Sequence, residues 1–198
     1  MEATLSEPTV PSRRPARRPA VPSAVLGTLF FVVAEVMFFA GLISAFTISR
    51  ANQLPGMWPP PGQPVLPAQA TALNTVLLLA SGVALLVSNI VWRKAPAKAT
   101  VPMVGAWLLG ISFVVLQGQE WLSLLGQGLT LTSSTLGSFF YLIVGGHAAH
   151  AIGALVALAF ACAQQVRGKL TPGLFFGVQT FWYFVVLMWP VIYARVYF

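Results

Sequence analysis

Four long stretches of this sequence carry no charged side chain: residues 51–92, 99–119, 121–166 and 170–194. Soluble domains spend about a quarter of their residues on Asp, Glu, Lys and Arg to cover their surface. Here the share is 8%, against 57% hydrophobic. That excludes a soluble enzyme, a disordered chain and a nucleic-acid binder. The net charge of +7 superficially suggests nucleic acid. The cations, however, stand at the ends of apolar runs, where a membrane protein places them.

A helix needs about 20 mostly apolar residues to cross a bilayer. Five stretches qualify: 24–49, 70–92, 100–121, 135–163 and 173–197. They are too long and continuous for barrel strands, which alternate over segments of about ten. The expected fold is therefore all-α, a transmembrane bundle of five helices spanning residues 23–198. Residues 1–22 hold five prolines and four arginines. Proline blocks helix and removes donors, so a disordered tail is expected there. The apolar run behind it is too long for a cleaved signal and reads as an uncleaved first helix. The lone cysteine, Cys162, excludes an internal disulfide framework and a cysteine-rich metal site.

With five spans, the tail, the 93–99 loop and the 164–172 loop share one side. That side collects nine cations: Arg13, Arg14, Arg17, Arg18, Arg93, Lys94, Lys98, Arg167 and Lys169. The other side has only Arg50 and Arg195. This bias predicts a cytoplasmic N-terminus and an external, periplasmic C-terminus. The 50–69 loop then lies outside, and its six prolines predict a stiff, extended segment.

Inside the spans the polar residues are few. Glu35 sits mid-way along the first span, with Phe31, Phe38, Phe39 and Leu42 on its face at a 3.6-residue period. A carboxyl group there must face protein or water, either bonded to a neighbouring helix or serving as a proton-relay or lipid-headgroup site. Glu120 lies near the outer end of the third span beside Trp121, where an interfacial acid costs little. His147 and His150, spaced i, i+3 in the fourth span, fall near one another on one face. They are read as polar helix contacts and, with Glu35 and Glu120, as proton-relay or lipid-site candidates. A two-histidine, one-carboxylate metal site with Glu35 is considered and not expected. On the same helix Gly145, Ala149, Gly153, Ala157 and Ala161 form a small-residue seam at which a neighbouring backbone could approach closely.

Taken in order, these motifs resemble one family. EVMFFAGLISAF (35–46) is similar to the acid-bearing helix of haem–copper oxidase subunit III, the cytochrome c oxidase polypeptide III family. GMWPPPGQPVLPAQATALNTVLLLASG (56–82) resembles its external Trp-Pro-Pro loop and following helix start. QGQEW (117–121) resembles the end of its next helix, and GSFFYLIVGGHAAHAIG (137–153) its two-histidine stretch. FWYFVVLMWPVIY (181–193) resembles the terminal helix, with Tyr183 where the family usually has histidine and Val186 where it usually has aspartate. Many members have seven helices, so the chain is read as a short, divergent one.

The resemblance implies an accessory, non-redox subunit of a respiratory terminal oxidase in the bacterial inner membrane. Such a subunit would pack on the flank of catalytic subunit I, and of subunit II, hold phospholipid, and support assembly and proton uptake during oxygen reduction. Haem and copper would belong to the partner subunits, with no cofactor or metal in this chain. Two alternatives stay open. One is the accessory subunit of a nitric oxide reductase or quinol oxidase, since electron donor and substrate are read by other subunits. The other is a stand-alone transporter, although nothing here resembles inverted repeats or interrupted helix pairs.

Overall fold

The computed structural model describes residues 23–54 and 57–198. The tail expected to be disordered lies outside the described residues. The chain forms α1 (Ser23–Ala51), α2 (Ala68–Lys94), a short 3₁₀ turn (Pro96–Ala99), α3 (Thr100–Gly126), α4 (Thr135–Val166) and α5 (Pro172–Val196). All five α-helices are long and apolar enough to cross a membrane. Each overlaps a span read from the sequence; α1 to α4 run a few residues further, because helix ends carry residues too polar for the hydrocarbon but still helical, while α5 matches its span to within one residue at each end.

The helix ends follow local rules. Ser134 caps α4 by accepting a hydrogen bond from the Gly137 amide, and Thr171 caps α5 by accepting one from Leu174, with Pro172 at the first helical position. At the end of α3, Gly128 has φ +91°. Its amide donates to the Leu125 carbonyl and that of Leu129 to the Leu124 carbonyl, while the Leu124 and Leu129 side chains are fully buried. This is the paired-bond helix stop that needs a left-handed residue. Gly128→Ala is expected to lower stability by about 1–2 kcal/mol, read as a fall in the thermal unfolding midpoint; an unchanged midpoint would contradict the strain argument.

The bundle is built around α5. It packs against α1, α4 and α2, while α2 packs along α3 and α3 along α4. One face of α5 is pinned to α2 by three polar rungs. The Trp182 indole N–H donates to the Ser81 hydroxyl at 3.0 Å, the Trp189 indole to the Thr75 hydroxyl at 2.9 Å, and the Tyr193 hydroxyl to the Ala68 carbonyl at 2.8 Å. Ser81 passes its own proton to the Ala106 carbonyl on α3, and Thr75 to the Thr71 carbonyl. The donors thus spend nothing unpaired in an apolar interior. Close approach comes from Gly82 and Gly110. A Cβ on Gly82 would fall 2.9 Å from Val186, and one on Gly110 2.7 Å from the Trp182 ring.

The loops group at two ends. Gln63 and Ser133 join the 52–67 and 127–134 loops at 3.1 Å, and Gln165 donates to the Pro96 carbonyl at 2.6 Å across the other pair. Arg93, Lys94, Lys98, Arg167 and Lys169 therefore stand at one end, Arg50 and Arg195 at the other.

Candidate functional site

Glu35 and His150 meet between α1 and α4. The carboxyl Oε2 lies 3.1 Å from His150 Nε2, with both side chains about one-fifth exposed. Glu35 is thus bonded to a neighbouring helix, one of the two readings of its sequence position. His150 Nδ1 lies 2.7 Å from the Gly146 carbonyl one turn back. A carbonyl can only accept, so Nδ1 carries a hydrogen. Nε2 then either accepts a proton from a neutral Glu35 or, as imidazolium, donates one to a carboxylate. In both arrangements the pair is neutral overall and holds a single proton between Oε2 and Nε2, an economical way to keep two ionisable groups within a bilayer. Phe31, Phe39, Phe181 and Phe184 pack around the imidazole at ring-centre distances of 5.6–6.4 Å. Phe38, expected on the Glu35 face, is turned largely outward.

His147 is a neighbour of His150 but serves another side of the helix. It is 1% exposed and lies against Trp189 at 5.2 Å and edge-on to Phe39 at 6.2 Å. Only His150 reaches Glu35. Among the described residues no three His, Cys, Asp or Glu side chains gather as a metal-binding group.

Glu120 is the centre of a second polar cluster, at the Arg50/Arg195 end of the bundle. Thr71 donates to Oε2 at 2.7 Å, Gln117 to Oε2 at 2.9 Å and Asn74 to Oε1 at 2.7 Å; Gln117 also reaches the Tyr197 hydroxyl at 3.2 Å. Sequence reasoning singled out Glu120 alone. The missed partners had a signal: Thr71 with Asn74, and Gln117 with Glu120, are polar i, i+3 pairs on otherwise apolar helices, and such pairs mark one inward face.

The small-residue seam of α4 does not close on a neighbouring backbone within this chain. Ala149 and Gly153 are exposed and Ala157 half-buried. A Cβ on Gly145 or Gly153 would meet the rings of Trp121 or Phe181, not a main chain. Tyr183 accepts a hydrogen bond from Gln179 at 2.9 Å, and Val186 is buried against Gly82. The position where the family usually has aspartate is therefore an apolar packing site here.

A five-helix apolar bundle with one intramembrane carboxyl–imidazole pair defines a multi-pass membrane protein. The family model for cytochrome c oxidase subunit III matches residues 18–198, and the chain belongs to that family. It is 33% identical over 184 residues to a probable cytochrome c oxidase subunit 3 of Nocardia farcinica, covering 87% of this chain and 86% of that one. It is 32% identical over 184 residues to the corresponding probable protein of Mycobacterium leprae, with the same coverage. It is 30% identical over 179 residues to cytochrome c oxidase subunit 3 of Sus scrofa, covering 86% of this chain and 67% of that one. Membership makes this chain an accessory subunit III of a haem–copper oxidase, associated with a cytochrome c oxidase complex.

Proposed function

We propose that this subunit supports proton uptake by a catalytic subunit I that holds the haems and copper, with subunit II as its other neighbour. The observation that carries the reading is the Glu35–His150 pair, a carboxyl oxygen 3.1 Å from an imidazole nitrogen inside a ring of phenylalanines. The cation bias supports a cytoplasmic N-terminus and an external, periplasmic C-terminus, and the bacterial relatives support a bacterial inner membrane. A groove of about 410 Å³ between α1, α4 and α5 supports phospholipid binding. Gly27, Ala157, Gly173 and Gly177 line it, together with Phe31 and Phe181, two of the rings on His150. Small residues that leave room beside flat apolar rings suit an acyl chain.

Glu35→Gln separates structure from proton transfer. A carboxamide N–H can donate to His150 Nε2 and keep the helices joined, but it has no proton to exchange. The expected result is a complex that assembles with full haem and copper content, takes up protons several-fold more slowly, and inactivates sooner during turnover. A variant that pumps and endures like wild type would leave the pair a structural contact only. A copper-free complex co-purifying with this chain would count against an oxidase.

A further inference from the structure

The two cations at the less basic end of the bundle stand on the same groove. Arg50, near the end of α1, and Arg195, near the end of α5, both line an open pocket of about 330 Å³ between those helices, together with Thr47 and Ala194. Arg50 is half-buried, with its guanidinium 5.6 Å from the centre of the Trp58 ring, and Arg195 is exposed. Among the described residues the one acid–base contact is Glu35–His150, so neither guanidinium has a carboxylate partner. Two like charges on one pocket repel, and they stand at the end where a membrane protein places few cations. Both facts call for an anion.

A second groove between α1 and α5, of about 300 Å³, lies deeper in the bundle and is lined by Val32, Val36, Leu187 and Val191. Val191 of this groove and Ala194 of the arginine pocket are less than one turn apart on α5. The helical period keeps Val32, Val36, Thr47 and Arg50 on one stripe of α1, and Thr180, Leu187, Val191 and Arg195 on one stripe of α5. At 1.5 Å per residue, Thr180 to Arg195 covers about 22 Å. One leaflet with its headgroups is about 20–22 Å deep.

We propose that this stripe holds one anionic phospholipid of the leaflet that the cation bias makes external. Its phosphate lies between Arg50 and Arg195, and an acyl chain runs along Val191, Leu187 and Val36. Guanidinium groups bind phosphate through paired, charge-assisted hydrogen bonds. A zwitterionic lipid would bring its own ammonium beside two guanidiniums, so a lipid of net negative charge is selected. Trp58 holds the Arg50 guanidinium at headgroup level, where indole rings settle. The site is separate from the groove beside Gly27 and Gly173, which lies at the opposite ends of α1 and α5. It does not depend on the role given to the Glu35–His150 pair.

Variants of the assembled oxidase, purified in mild detergent, test this by the anionic phospholipid each retains, counted by mass spectrometry of the lipid extract. Arg50→Gln combined with Arg195→Gln should lose one lipid molecule per complex. Val191→Trp keeps both arginines and fills the groove, and should lose the same molecule. Val83→Trp is the control: an exposed valine of α2 that lines neither groove, it should lose none. Unchanged lipid in either of the first two variants, or an equal loss in the control, overturns the proposal. Loss with the arginines but not with Val191→Trp overturns it in favour of a free phosphate site. A density map of the wild-type complex gives a reading that needs no variant to assemble. Phosphate density between the two guanidiniums, continuous with a chain reaching toward Val36, is expected. An isolated phosphate, a neighbouring subunit's helix in the groove, or an empty groove overturns the lipid site.

Discussion

Trp182→Ala is expected to destabilise the subunit on the order of 3–5 kcal/mol, the range for truncating a buried Trp or Phe. The ring is fully buried and sits where three helices converge. Its indole N–H bonds Ser81 on α2, Ser81 in turn bonds the Ala106 carbonyl on α3, and Gly110 of α3 lies close against the ring. Gly110 has no side chain with which to collapse into the space that alanine would open. Among membrane helices, dispersion and hydrogen bonding carry the association, because lipid tails are as apolar as leucine. The packing loss is therefore not offset by a hydrophobic force acting elsewhere. Trp182→Phe keeps most of the volume and removes the N–H with a small part of the ring, while Ser81 keeps its bond to Ala106. That change should cost about 1 kcal/mol or less. Thermal unfolding of the purified complex, with retention of this subunit on size exclusion, separates the two variants. An alanine variant as stable as the phenylalanine one would show that the ring is not the wedge described here.

The architecture was legible from apolar length, because a mostly apolar run of 20 or more residues, too long and continuous for a barrel strand, crosses a bilayer as a helix. That argument depends on length and polarity, which the chain states outright. Glu35 was legible for the same reason: a lone acid in the middle of a span must meet protein or water, and here it meets His150 on another helix. Which partner was not legible. His147 and His150 share a helix and an i, i+3 spacing, so periodicity placed them together. A few tens of degrees of helix rotation send one toward Glu35 and the other behind Phe39. The seam of Gly145, Ala149, Gly153 and Ala157 shows the same limit. Small residues permit a close approach without stating what approaches, and here the close approaches fall at Gly82 and Gly110, opposite Val186 and Trp182. The indole-to-hydroxyl rungs between α5 and α2 join residues more than 100 positions apart, and local pattern carries no register between distant helices.

The Glu120 cluster yields the most discriminating set of variants. Glu120→Ala removes an acceptor for three donors. Thr71 can turn its proton to the Pro67 carbonyl, 3.0 Å away, but the Asn74 and Gln117 amides are left without the carboxylate. The cluster is only part-buried, so the expected loss is about 2 kcal/mol, below the sum of three charge-assisted bonds. Asn74→Asp should be worse than Glu120→Ala, because it sets a second carboxyl 2.7 Å from the first, and two carboxylates at that separation cannot both stay ionised. Combining Asn74→Asp with Glu120→Gln moves the single charge from α3 to α2. The new carboxamide donates to Asp at position 74 and accepts from Thr71 and Gln117, so every group regains a complement. The double variant is therefore expected to recover most of the stability lost by Asn74→Asp, a favourable coupling of at least about 1 kcal/mol in a double-mutant cycle. If the two changes merely add, α2 and α3 are not joined through Asn74 and Glu120. The polar tie between α2 and α3 at this end would then rest on Thr71 and Glu120.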